Sequence, residues 1–145
     1  MKTFMAILLS ACLLSACEST KNNNGSIAHD VNKLEGTWEL EYILAPNITF
    51  EGLYPAAKPF IKFDVANKKI SGKTSCNSFG GELVTKDSTI DFSGPIAMTK
   101  MYCGGEGEPT FVNVLTKVTS YKVDDNTLHF MTGNTLKMRF VKKTQ

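Results

Sequence analysis

Four cysteines offer this chain its most versatile chemistry, and their positions give them different tasks. Cys12 lies inside an N-terminal apolar stretch and Cys17 follows it, while Cys76 and Cys103 stand in the body of the chain. A thiol can serve as nucleophile, metal ligand, lipid acceptor or half of a disulfide, and its neighbours decide which. Metal binding is poorly served: His29 sits in a polar stretch, His129 stands alone in a strand pattern, and two cysteines do not complete a zinc shell. A nucleophilic cysteine needs a basic partner, and none is placed by spacing. Gly-x-Ser-x-Gly, a Gly-rich phosphate loop and a His-Glu-x-x-His helix are all absent. Asp64, Asp87 and Asp91 fall in or beside strand and turn segments, where acidic turn residues are commoner than a carboxylate pair. The expectation is a protein that is not an enzyme, with no catalytic residues, no metal and no cofactor.

Cys17 has the clearest context. Lys2 supplies a short basic start, and Phe4 to Leu14 is apolar but too short to span a bilayer. The stretch ends in Leu14-Ser15-Ala16-Cys17, the lipobox pattern of bacterial lipoproteins: small residues enter a peptidase, and the next thiol takes a diacylglycerol. Residues 1–16 are therefore expected to be a signal peptide, with Cys17 the lipidated N-terminus of the mature chain. Stable anchoring takes two or more acyl chains, which the usual bacterial modification supplies. Glu18, not Asp, follows the cysteine, which favours the outer membrane, with the domain in the periplasm.

Processing would leave 129 of 145 residues, one domain's worth, with fifteen basic against fourteen acidic side chains. That balance does not suggest nucleic acid, which calls for a concentrated basic face. Residues 17–32 are polar, rich in Asn and Ser and free of apolar periodicity, and read as a lipidated flexible tether to a domain at 33–145. In an oxidising compartment the remaining Cys76 and Cys103 are expected to pair. The alternative is two free buried thiols. Chain-entropy arguments give such a loop about 3.5 kcal/mol, against a typical net stability of about 5–15 kcal/mol.

The elements that would position these residues are mostly strands. Trp38, Leu40, Tyr42 and Leu44 alternate with polar residues, and the same period recurs in Phe60 to Val65, Lys69 to Thr74, Glu82 to Thr85, Thr89 to Phe92, Ser120 to Val123, Thr127 to Met131 and Thr135 to Val141. Phe111, Val114, Leu115 and Val118 instead recur at helical spacing, after Glu108 and Pro109, which suit a helix start. The fold class expected is α+β: a curved antiparallel sheet or small β-barrel of about eight strands, with one helix inserted before the last three strands. Phe50, Leu53 and Tyr54 lie in a long connection and could cap the core or line a surface for a ligand or partner.

Three motifs carry a family resemblance. They are Leu34-Glu35-Gly36-Thr37-Trp38-Glu39-Leu40; Gly72-Lys73-Thr74-Ser75-Cys76-Asn77 with Gly80-Gly81; and Thr99-Lys100-Met101-Tyr102-Cys103 with Glu108-Pro109-Thr110-Phe111. In this order and spacing the chain resembles the META domain family, the HslJ-like bacterial envelope lipoproteins. The family carries glycine where this chain has Ser75, and an aromatic where it has Leu83. The resemblance implies a compact β-rich domain without enzymatic activity, linked to stress or motility. Gly36 and Trp38 read as a tight entry with an aromatic plug, Asn77 as a turn residue, and Gly80 and Gly81 as a reversal into the next strand; Gly72, Thr99 and Met101 complete a structural set. Three roles stay open: a lipid-anchored module binding an envelope protein in stress tolerance or assembly, a lipocalin-like carrier of a small apolar ligand, and a structural envelope protein.

Overall fold

The computed structural model describes residues 30–45 and 47–144. The signal-peptide expectation, Cys17 and His29 lie outside the described residues. The first described element lies slightly ahead of the expected domain boundary at Lys33. The Asp30 carboxylate accepts from the Asn32 amide at 3.0 Å and caps a 3-10 turn, Val31–Leu34, whose Leu34 is fully buried.

Among the described residues ten strands form one antiparallel sheet. In chain order they are β1 (Gly36–Ile43), β2 (Phe60–Asp64), β3 (Lys69–Lys73), β4 (Ser78–Glu82), β5 (Val84–Lys86), β6 (Thr89–Asp91), β7 (Ala97–Met98), β8 (Ser120–Asp124), β9 (Thr127–Thr132) and β10 (Thr135–Lys142). A short helix α1 (Phe50–Leu53) sits in the long connection, and α2 (Gly107–Leu115) precedes the last three strands. The lateral order is β5-β6-β8-β9-β10-β1-β2-β3-β4-β7. The α+β curved antiparallel sheet expected from alternation is thus present, curled into a half-barrel, with two more strands and one more short helix than the sequence suggested.

Two local expectations are wrong. Past Leu40 a register shift in β1 turns the alternation of Trp38, Leu40, Tyr42 and Leu44 over, so that Ile43 is buried and Leu44 exposed. Gly80 and Gly81 do not reverse the chain: they lie within β4, opposite Ser71 and Ile70 of β3. The glycines serve packing instead, since a Cβ on Gly81 would stand 3.3 Å from the Pro95 carbonyl oxygen. From β4 the chain runs through Leu83 into β5, so one continuous stretch lies near both ends of the strand order and the sheet must curl. Gly72 of β3 is more constrained, because a Cβ there would overlap the Phe60 carbonyl oxygen and press on the Phe79 ring.

Side chains fill the concave face. Trp38, Phe63, Phe111, Phe130 and Phe140 are fully buried. Phe130 is the hub, with ring centroids 5.2 Å from Phe140, 5.3 Å from Phe92 and 6.5 Å from Phe63. Gly36 enters β1 at φ 107°, and the Trp38 indole N–H donates to the Leu34 carbonyl at 2.7 Å, so the entry motif works as a plug with its polar atom satisfied. On α2, Phe111 and Leu115 are buried, Val114 is half-buried, and Val118 is buried just beyond the helix end. Phe111 packs on Phe79 with centroids 5.9 Å apart, which fixes the helix against β4.

Candidate functional site

The second and third motifs meet at one end of the sheet. Asn77, only 1 % exposed, is their centre. Its side-chain amide donates to the Met101 carbonyl at 2.9 Å and, in a forked contact, to both oxygens of Glu108 at 2.9 and 3.0 Å. Its amide oxygen accepts from the Met101 backbone N–H and from the Thr99 hydroxyl, each at 2.8 Å. Thr74, fully buried, donates from its hydroxyl to Glu108 at 2.5 Å and accepts from the Asn77 N–H at 3.1 Å. Cys76 and Cys103 are joined as a disulfide beside this knot, with Cα atoms 6.2 Å apart.

Local chain geometry makes the knot reachable. The turn from β3 to β4 must direct two consecutive side chains, Cys76 and Asn77, at a neighbouring segment. It does so by placing Ser75 at φ 90°, a backbone region in which a side chain is strained. Glu108 arrives from the first turn of α2, where negative charge suits the helix dipole. Burial alone would raise the Glu108 pKa, but hydrogen bonds from Thr74 and from the side chain and backbone of Asn77 outweigh it and hold the carboxyl below its ordinary value. No basic side chain contributes to that lowering.

The knot braces one wall of an open cleft of about 830 Å³, lined among others by Tyr54, Ser75, Tyr102, Gly105, Glu106 and Glu108. Beneath it Gly107 packs so tightly on α1 that a Cβ would overlap the Leu53 carbonyl oxygen and touch the Tyr54 ring. The Tyr54 hydroxyl donates to the Gly107 carbonyl at 3.0 Å, and burial pushes its phenol above the ordinary range. The rim is different in kind: Met101 is 62 % exposed and Tyr102 97 % exposed.

The sequence-predicted residues therefore divide. Asn77, Thr99, Met101, Cys76 and Cys103 come together. Gly36 and Trp38 stand elsewhere in the fold, as entry and plug, and Gly72 and Gly81 serve strand packing. Leu53 and Tyr54 are buried and border the cleft. Phe50 is half-buried, edge-on to Tyr54 at 5.2 Å, with the Lys58 ammonium 5.8 Å from its ring. Asn77, read as a turn residue, bonds backbone through its side chain, and the left-handed conformation in this turn falls to Ser75. Sequence reasoning missed Thr74, Glu108 and Tyr102 as parts of a site. The nearest signal was Glu108 beside the third motif, read there only as a helix start. Among the described residues no group of three or more His, Cys, Asp or Glu could hold a metal ion, and no helix is long and apolar enough to cross a membrane.

The META domain model matches residues 31–145, which takes in the knot, the cleft and every strand. The chain belongs to the META domain family. Solved structures share the architecture. A protein from Burkholderia xenovorans, determined by NMR, aligns with a TM-score of 0.58 at 20% identity, covering 77% of this chain and 83% of that one. A DUF4847 family protein from Bacteroides vulgatus aligns at 0.56 and 16% identity, covering 80% and 99%. A further NMR structure aligns at 0.54 and 23% identity, covering 75% and 90%. At these identities the likeness is one of fold. A comparison with curated proteins finds no match. Within this META domain, the polar knot is where two of the three recognisable motifs become one structure.

Proposed function

We propose that this META domain is a non-enzymatic, lipid-anchored module of the bacterial cell envelope that binds another protein, in stress tolerance or envelope assembly. The carrying observation is the cleft rim: Tyr102 and Met101, large apolar side chains, stand in solvent on a segment that Asn77 and the disulfide hold in place. Exposing them is unfavourable for an isolated protein, and a pre-ordered aromatic anchor beside a concave surface is what a protein interface uses. Support for anchoring through Cys17, and for an outer-membrane position with the domain in the periplasm, comes from the Leu14-Ser15-Ala16-Cys17 sequence and from Glu18 after it.

A photo-crosslinking residue at position 102 of the full chain, in cells under heat or antibiotic stress, tests the reading. One reproducible adduct from position 102, absent from a control at Lys122 of β8, is expected. No adduct at 102, or the same adducts at both positions, would sink it. The carrier reading draws no comparable support, because Trp38, Phe63, Phe130 and Phe140 occupy the concave face.

A further inference from the structure

The cleft has a definite electrostatic character. The chain as a whole carries a formal charge of +2, yet the residues lining the cleft include two carboxylates, Glu106 and Glu108, and no lysine or arginine. Glu108 is held by neutral donors alone. Its Oε2 is engaged by Thr74 and by Asn77, whereas Oε1 receives the Asn77 side chain only, leaving acceptor capacity on that oxygen. Glu106 is exposed and makes no side-chain hydrogen bond at the start of α2, so its carboxylate is open to a ligand in the cleft. Tyr102 adds an exposed aromatic ring at the same rim.

We infer that this cleft is a seat for a basic side chain, an arginine or lysine presented by an extended segment of the partner protein. The inference rests on the protein-binding reading and names the partner's chemistry at that site. A guanidinium matches the site best: its planar fork can reach a carboxylate oxygen and lie against an aromatic face together. The cleft's concave walls raise the effective field of the two carboxylates over what they would exert on an open surface. Charge complementarity thus selects the occupant, and Met101 and Tyr102 supply the apolar contact for the residues beside it.

The test uses the full chain, labelled with nitrogen-15 and titrated with two short peptides that differ only in carrying arginine or its uncharged isostere citrulline. The arginine peptide is expected to shift the amide signals of Tyr102, Gly105, Glu106 and Gly107 in a saturable way, with the citrulline peptide at least about threefold weaker. Glu106→Gln should weaken arginine binding about two- to fivefold, as expected for one part-exposed ion pair, while lowering the unfolding midpoint only slightly through the lost charge at the start of α2. Raising salt should weaken the arginine peptide and not the citrulline peptide. Equal behaviour of the two peptides, or shifts that map away from the cleft, would overturn the inference. A partner captured at position 102 that presents no basic residue to the cleft would overturn it too while leaving the protein-binding reading standing. Failure to capture any partner strikes that reading instead.

Discussion

Replacing Asn77 with aspartate changes one atom group, and the knot geometry predicts a stability that depends on pH in an unusual direction. The side-chain nitrogen of Asn77 lies 2.9 and 3.0 Å from the Glu108 oxygens. In Asn77→Asp an oxygen takes its place, and two unit charges about 3 Å apart repel by about 5 kcal/mol at an effective dielectric of 20. The pair can escape by binding one proton. At pH 7 that limits the electrostatic cost to about 4 kcal/mol, since each pKa unit is worth about 1.4 kcal/mol. Loss of the bond to the Met101 carbonyl adds about 1 kcal/mol. Asn77→Ala loses the bonds to Met101 and Glu108 without the repulsion, at a cost of about 3 kcal/mol at any pH near neutrality. The two variants should therefore exchange rank. Aspartate is the worse at pH 7 and the better near pH 4.5, where the shared proton restores a donor facing Glu108. Urea unfolding followed by the fluorescence of Trp38, the single and fully buried tryptophan, measures both at each pH. If Asn77→Asp were as stable as Asn77→Ala at pH 7 and showed no gain on acidification relative to the natural sequence, Asn77 and Glu108 would not be in contact and the knot would be wrong.

The natural chain should behave oppositely. Glu108 has a folded-state pKa below its unfolded value, so its contribution is full above the unfolded pKa and is lost as pH falls through the folded one; Glu108→Gln should flatten the acid limb below about pH 4.5. Asp64, Asp91 and Asp124 are also lowered, chiefly by hydrogen bonds from Asn67, Ser93 and Lys122 respectively, so a residual slope should remain in that variant. Ser75→Gly should raise stability by about 0.5–1 kcal/mol. Relief of left-handed strain is worth about 1–2 kcal/mol, less about 0.5–1 kcal/mol for glycine's extra freedom when unfolded; a thermal midpoint that fails to rise would contradict the φ of 90°. Replacing Cys76 and Cys103 together by serine should cost up to about 3.5 kcal/mol, yet leave the Met101 amide protected from hydrogen exchange, because Asn77 holds it independently. Loss of that protection would mean the disulfide alone organises the segment. Phe130→Ala should cost about 3–5 kcal/mol by urea unfolding, since it removes the ring that three others pack against; a cost under 1 kcal/mol would deny it the hub of the core.

Alternation made most strands readable, because a period of two survives wherever one face is buried and the other wet. Trp38 and Leu40 of β1 and Leu128 and Phe130 of β9 are such positions, and the period is lost only past Leu40, where a register shift buries Ile43 instead. The pattern failed at β4, where Ser78-Phe79-Gly80-Gly81-Glu82 carries a single buried side chain and two glycines that look like a turn. There the strand is set by close approach from neighbouring segments, a tertiary constraint invisible to local periodicity. Helix α1 is four residues long, too short to display a period, and owes its start to the Thr49 hydroxyl accepting from the Gly52 N–H at 3.1 Å. The site was half legible. Motif order brought Asn77, Thr99 and Met101 forward, but the partner that charges the knot is 31 residues from Asn77 and belongs to another element. Glu108 in isolation looks like any acidic residue at a helix start.

What the knot contributes is position more than net stability. A buried polar network of this kind trades desolvation against hydrogen bonds and comes out modestly favourable, whereas the fully buried rings of the sheet supply the bulk driving force. A greasy replacement could pack the same volume, but it could not hold the Met101 N–H and carbonyl at fixed distances from one side chain. Those two bonds, reinforced by the disulfide, determine where Tyr102 stands relative to Glu106 across the cleft. A recognition surface built on an irregular segment needs that kind of external bracing, because backbone pairing with β4 ends at the Thr99 N–H bond to the Ser78 carbonyl and no ladder runs through residues 100–105. The residues that identify the domain are thus those that brace the backbone carrying its exposed aromatic, and weakening Asn77 should free the segment around Tyr102 before it unfolds the sheet.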